Sequence, residues 1–351
     1  MEQEQLSKIK TSIENLENKN SRLYFLVQDT KGNAKASVRY IYQMALTLKR
    51  NGFNSIMLTE KNDYTGVSEW LGPEYMSEIP HQSIENRNLE ISPEDFILIP
   101  EIYGFIMEQI KNLPCGKIVI AQAYDQIVDT LQAGQSWNSL GFIRAITTSE
   151  ESKNEISSIM KNQTWDVIEP IISDCFSKAE KPPKPVIAVH SREQRDTVNI
   201  IKKFYLKYPQ FRWVTFRDMR GLSELQFANA LKECCASVWV DEHSSFGTFP
   251  LESMITGVPV LGMTPNLKPV WLNEENGIWV HNKNVIVDLI AEFLQNWLED
   301  NISDELYSNM ATTTKYQDKS KFEFMVTSTF TNIIGSRVSH LKQQLESIET
   351  L

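Results

Sequence analysis

Residues 241–262, DEHSSFGTFPLESMITGVPVLG, bring together the groups in this chain best suited to chemistry. Asp241, Glu242, His243, Ser244 and Ser245 precede a Phe246-Gly247 turn, and Glu252 follows it inside a helical pattern. Gly247 permits a tight turn, Thr248 is a candidate N-cap, and Pro250 falls in the first helical turn, where a missing N–H costs little. Gly257 then stops the helix, and Val258, Pro259, Val260 and Leu261 begin a buried strand. A strand–loop–helix unit of this kind aims unpaired backbone N–H groups and the positive end of a helix dipole at the carboxyl edge of a sheet, which suits a phosphate. The chemistry expected of this stretch is anion binding.

Composition limits the partners. At 351 residues the chain exceeds the size at which single cores stop growing, so two domains are expected. Its 45 acidic against 35 basic residues leave a net charge of −10, which argues against non-specific nucleic-acid binding. No apolar run approaches the roughly 20 residues that span a bilayer, and the Glu-, Gln- and Lys-rich start is unlike a signal peptide. A cytoplasmic protein without a transmembrane segment is expected. Cys115, Cys175, Cys234 and Cys235 have no metal-ligand spacing and read as reduced core thiols.

The elements that must position the site alternate. The pattern predicts a helix over 2–19, a strand over 23–28, the loop DTKGNAKAS, a helix over 38–50 and a strand over 55–58. Strands follow at 96–100, 117–121 and 143–147, with helical segments around 102–111 and 150–161 and an irregular excursion over 64–88. Short apolar strands alternating with helices imply a parallel, doubly wound sheet covered on both faces. The run SKAEKPPKP, residues 177–185, excludes helix and central strand and reads as the domain boundary. A second alternation follows: strand 186–189, helix 196–207, strand 211–216, helix 223–235, strand 237–240, the opening stretch, strand 277–280 and helix 285–298. A ligand is expected in the cleft between two such domains. The tail 320–351 is helical in pattern and broken by Gly335. Its Val338, Leu341, Leu345 and Ile348 repeat the 3, 4, 3 spacing of Leu6, Ile9, Ile13 and Leu16. Two terminal helices packed together, within one chain or across a homodimer, and two helices resting separately on the body are both consistent with this.

The phrase FGTFPLESMITGVPVLG, followed by ENGIWV and preceded by GLSELQFANALKECCASVWV, resembles the nucleotide-binding domain of family 4 retaining glycosyltransferases of GT-B fold. The likeness covers most of 185–300. It extends more loosely to the N-terminal domain and to KFEFMVTSTFTNI, which looks like the family's C-terminal helix. The resemblance implies an N-terminal acceptor-side Rossmann-like domain, 1–176, with 320–351 packing back on it. A linker, 177–185, and a nucleotide-sugar-binding Rossmann-like domain, 186–319, complete it.

In that family two glutamates eight positions apart surround the FG turn, the second binding the donor ribose and the first lying near the donor sugar. The second falls on Glu252, whose carboxylate suits a diol because it accepts from two hydroxyls at once. The first falls on Ser244, with Glu242 two residues away, so either residue is the catalytic-position candidate. Arg192 and Arg195 in HSREQRD match the basic pair that neutralises the diphosphate, together with the N–H groups of Gly247, Thr248 and Phe249. A solvated helix start is the plainer role for the two arginines. Gly32, Asn33 and Lys35 would form the acceptor-side loop. The absence of an Asp-x-Asp pair fits a metal-independent reaction with no cofactor beyond the nucleotide-sugar substrate.

The resemblance implies sugar transfer from a nucleotide-sugar to an acceptor hydroxyl of a glycan, polysaccharide or glycoconjugate, with retention. The alternative is a non-catalytic GT-B-like partner or stabilising subunit of an active transferase, and a GT-B epimerase is a third reading.

Overall fold

The computed structural model describes residues 2–181, 183–315 and 317–349. It divides into two compact units, Met1–Glu169 with Lys319–Leu351, and Pro170–Asp318. In chain order the first unit contains α1 (Glu2–Glu17), β1 (Arg22–Val27), α2 (Ala36–Arg50), β2 (Asn54–Thr59), α3 (Pro73–Ser77) and β3 (His81–Ser83). It continues with β4 (Phe96–Pro100), α4 (Gly104–Ile110), β5 (Gly116–Ala121), β6 (Arg144–Thr147), α5 (Glu150–Ile159) and β7 (Thr164–Val167). The second unit contains β8 (Lys184–Ser191), α6 (Gln194–Lys207), β9 (Thr215–Asp218), α7 (Glu224–Leu231), β10 (Cys234–Val240) and α8 (Thr248–Thr256). It ends with β11 (Val260–Met263), β12 (Ile278–Val280), α9 (Ile286–Leu298) and α10 (Asp304–Thr314), after which α11 (Lys319–Glu349) belongs to the first unit.

Both sheets are parallel throughout. The first has the order β3-β2-β1-β4-β5-β6-β7 and the second β12-β11-β10-β8-β9. In each the direction of winding reverses once, between β1 and β4 and between β8 and β10, which is where doubly wound sheets bind ligands. The strands are apolar runs because both faces are covered: Val186 and Ala188 enter one core of the second unit, Ile187 and Val189 the other. α9 turns Ile286, Val287, Ile290, Ala291, Phe293 and Leu294 inward, and the full burial of a large apolar side chain contributes roughly 1.5–3 kcal/mol. No helix among the described residues is long and apolar enough to cross a membrane.

Several expected elements shift. Phe211 sits in a one-turn 3-10 helix and β9 starts at Thr215. Ser223 caps α7 with a capping box, as the spacing to Gln226 allows, but α7 ends at Leu231. Cys234 and Cys235 belong to β10, whose pairing with β8 overrides their local helical pattern. α10 has no counterpart in the sequence reading. The proline-rich run 177–185 lies inside the second unit. Ala179 donates its N–H to Thr256 O, Phe176 joins a core, and β8 begins at Lys184, so Pro185 occupies the second strand position. Pro182, Tyr316, Thr350 and Leu351, which fall in the expected linker, second domain and C-terminal segment, lie outside the described residues.

α11 is one helix that continues through Gly335, where a helical glycine costs roughly 1 kcal/mol relative to alanine. Packing of its flanks outweighs that cost. Val326 and Phe330 are fully buried, Phe330 lying 6.0 Å from the Phe25 ring, and Arg337 donates to Pro93 O and Pro114 O. α1 packs on α11 in the same chain, with Ile13, Leu16 and Leu341 buried and Lys342 Nζ 2.7 Å from Glu17 Oε1. Deleting residues 1–19 removes this apolar contact. We expect a loss of about 3 kcal/mol and a melting temperature lower by several degrees, measured by calorimetry; an unchanged melt contradicts the contact.

Candidate functional site

The loops expected to bind phosphate take their positions from the register of two strands. Trp239 pairs with His190 and Val240 with Ser191, so the loops after β10 and β8 leave the sheet side by side at the reversal point. One loop carries Arg192 and Arg195, both exposed, with Arg195 in the first turn of α6. The other carries Asp241 to Gly247 and feeds α8. Parallel pairing thus sets side by side the roots of two loops, one leading to Arg192 and the other to the start of α8, that the sequence keeps about 50 positions apart.

Gly247 is the N-cap of α8, in the left-handed region at φ 75° and ψ 69°, and no side chain caps the helix. Thr248 is therefore the first helical residue rather than the cap. A glycine cap has no side chain of its own to offer the N–H groups of the first turn. Phe249 is buried and its ring lies 5.0 Å from that of His190, whose imidazole burial lowers to about 4, so it is neutral near pH 7. Glu252, one turn into α8, is 4 % exposed, and a carboxylate is retained at such a position only with polar partners.

Ser244 is half-buried in the loop, directly before the buried Ser245. Glu242 lies beyond the end of β10 without a bulge there; the register shift of this strand is between Cys234 and Ala236. Its carboxylate pairs with Lys283 at 3.4 Å, and the same Nζ lies 3.9 Å from Asp196 Oδ2 at the start of α6. Its carbonyl accepts from the Asn266 N–H.

The loop expected to face the acceptor follows β1 at the reversal point of the first sheet. Lys31 and Gly32 both have positive φ, 52° and 79°, and Asn33 closes the turn on Thr30 O through both its N–H and its Nδ2. Lys35 is the N-cap residue of α2 and its Nζ reaches Gln28 Oε1. Lys31 is paired with Asp29 at 2.6 Å. Among the described residues, no group of three or more His, Cys, Asp or Glu is placed to hold a metal.

Glu101 was missed by the sequence reading. It follows β4 directly, at the same reversal point, and is 3 % exposed. Its Oε1 accepts the Ala123 N–H at 2.7 Å, and Oε2 has no hydrogen-bond partner among the described residues. Burial pushes its carboxyl up to about 7, against the lowering effect of the Ala123 N–H and with a smaller contribution from the Asp125 charge. A carboxyl ending the apolar run FILIP was the available signal. Nearby in the first unit, Tyr103 donates to Glu60, and the Tyr42 hydroxyl is 2.9 Å from both the Tyr64 hydroxyl and His81 Nε2.

No family model matches the chain. It is 26% identical over 256 residues to an alpha-1,6-glucosyltransferase of Actinobacillus pleuropneumoniae serotype 7 (strain AP76), with 71% of each chain covered. In fold it resembles sucrose-phosphate synthase of Thermosynechococcus elongatus, with a TM-score of 0.64 at 12% identity over 90% of this chain and all of that one. It also resembles Anabaena Alr3699/HepE, solved with UDP-glucose, with a TM-score of 0.59 at 11% identity over 89% of this chain and 99% of that one. The fold is GT-B. The sequence relative and the GT-B fold together support a glycosyltransferase.

Glu101 gives a pH test. A carboxyl whose folded value is raised from 4.5 to about 7 contributes stability that is full below pH 4.5 and lost as the pH rises through about 7. Glu101→Gln imitates the protonated form at every pH. Its melting temperature should rise relative to wild type from about pH 5 to about pH 8, by the equivalent of up to about 3 kcal/mol, in parallel scanning-fluorimetry melts. A pH-independent difference contradicts the assignment.

Proposed function

We propose that the chain moves a sugar, with retention and without a metal, from a nucleoside-diphosphate donor to an acceptor hydroxyl. The observation that supports this reading is the register of β8 and β10, from whose adjacent ends leave the loop to Arg192 and α6 and the loop to the glycine-capped α8, with Glu252 buried one turn into that helix. In transfer the bond between the anomeric carbon and the diphosphate oxygen breaks and negative charge develops on the leaving group. The two guanidinium groups and the N–H groups of Gly247, Thr248 and Phe249 are suited to that charge. They would supply the neutralisation that a divalent ion provides elsewhere.

Glu252 would take the ribose diol, and Ser244 or Glu242 the sugar. The pairing of Glu242 with Lys283 favours Ser244 for the sugar, because Glu242 already has a cationic partner. Gly32, Asn33 and Lys35 would face the acceptor. The A. pleuropneumoniae relative supports a glucosyl donor and an acceptor 6-hydroxyl, and the HepE complexes with UDP and UDP-glucose support a uridine nucleotide. An α-linked product from an α-linked nucleotide-sugar is a retaining outcome, consistent with departure of the diphosphate and entry of the hydroxyl on the same face.

A thermal-shift screen against UDP, GDP and ADP should single out UDP, adding about 2.7 kcal/mol of stability at 100 times its Kd. Silence across the panel overturns the reading. In Glu252→Ala, loss of a charge-assisted contact worth about 1.5–3 kcal/mol should weaken UDP at least about tenfold by calorimetry, and undiminished binding removes Glu252 from the site. With UDP-glucose, release of α-anomeric product that is unaffected by EDTA, followed by NMR, supports retention without a metal; a β product or loss of turnover contradicts it.

A further inference from the structure

Three tryptophans meet under the turn that begins α8. Trp239 near the end of β10, Trp271 in the segment between β11 and β12, and Trp279 on β12 have ring centroids 6.4, 6.1 and 6.3 Å apart pairwise. Trp239 and Trp271 are buried, and Trp279 lies so close over Gly262 that a Cβ there would fall 2.6 Å from its ring. Asn276, fully buried, ties the group together: its Nδ2 donates to Trp271 O at 2.7 Å and to Thr313 Oγ1 at 2.9 Å, and its Oδ1 accepts from Trp279 Nε1 at 3.3 Å. Aromatic pairs of this kind contribute about 0.5–1.5 kcal/mol each beyond their buried area. Core packing alone would account for that much.

One contact goes further. Trp271 Nε1 donates to Phe246 O at 2.7 Å, in a buried setting. The Phe246–Gly247 peptide is a rigid trans plane, so its carbonyl and its N–H point in opposite directions. Fixing the carbonyl on the indole therefore turns the Gly247 N–H away from it. The rings also hold the turn from below, since a Cβ on Gly247 would lie 3.0 Å from atoms of both Trp239 and Trp271. At a glycine whose φ is 75°, with no side chain capping the helix, this brace is what selects one orientation of the turn.

We propose that Trp271, braced by Trp239 and Trp279, is a positioning residue for the donor diphosphate: it sets the Phe246–Gly247 peptide plane and so aims the N–H groups at the start of α8 at the phosphate oxygens. This rests on the donor-binding reading above. Trp271 acts through the backbone and touches neither base nor ribose in this scheme. Its removal should therefore affect the diphosphate and spare the nucleoside.

The test is calorimetry on the full chain with UDP and with uridine. In Trp271→Phe, which keeps an aromatic ring but loses the indole N–H, UDP should bind about tenfold more weakly while uridine is unchanged. Gly247→Ala, which pushes the turn off the indoles, should show the same split. Equal UDP affinity in wild type and Trp271→Phe overturns the inference and leaves donor binding standing, and so does an equal loss for UDP and uridine, the signature of a purely structural residue. A wild-type chain that binds no nucleoside diphosphate overturns the donor reading and this one with it. Should neither variant fold, the wild type decides: UDP should shift tryptophan emission and uridine should not, and an equal response to both overturns the proposal.

Discussion

The pairing of β8 with β10 is the constraint on which the candidate site depends. Both strands are buried along most of their length, and none of the expected site residues lies on either. Their register nonetheless decides which loops emerge together, and a slip of one residue would turn every side chain of a strand to the opposite face. The apolar residues of β8 enter two different cores by alternation, so such a slip would put each set into the wrong core. Burial on both faces is thus what holds the ends of β8 and β10, and the loops that leave them, side by side.

The first unit obeys the same rule with a different fastening. Arg22, the first residue of β1, makes a bidentate contact with Asp95, which is 1 % exposed and stands immediately before β4. Asp95 also accepts the N–H groups of Arg22 and Ser92. Removing Arg22, itself 30 % exposed, would leave the buried Asp95 carboxylate without its cation. The Arg22–Asp95 pair pins the amino ends of β1 and β4, whose carboxyl ends carry the loop of Gly32 and Asn33 and Glu101.

Most of the fold was legible because its strands are buried on both sides and therefore read as uninterrupted apolar runs; β4, FILIP, was read to the residue. Helix ends were less legible. Thr248 looks like a cap, yet the left-handed Gly247 takes that place, because the turn must pass over Trp239 and Trp271. Cys234 and Cys235 fit a helical pattern until β8 pairs with them. Residues 304–314, DELYSNMATTT, hide a helix that buries only Met310 and Thr313, with Leu306 partly buried against the core. At the site, local spacing revealed the loop and the helix start. What it could not reveal was non-local: Glu101 matters through Ala123, Glu242 through Lys283, and Trp271 through a carbonyl 25 positions earlier.

The discontinuous first unit bears on how the chain is made. Its sheet is complete by Val167, but α11, which covers Phe25 with Phe330, follows the whole of the second unit. At about 5–20 residues per second, the roughly 150 intervening residues take on the order of 10–30 s to synthesise. For that interval Phe25 lacks the cover of Phe330 and α11, and the second unit, contiguous in sequence, has everything it needs to close. The part of the molecule begun first is thus the part finished last, and its exposed face is where a nascent chain of this fold is most in need of protection.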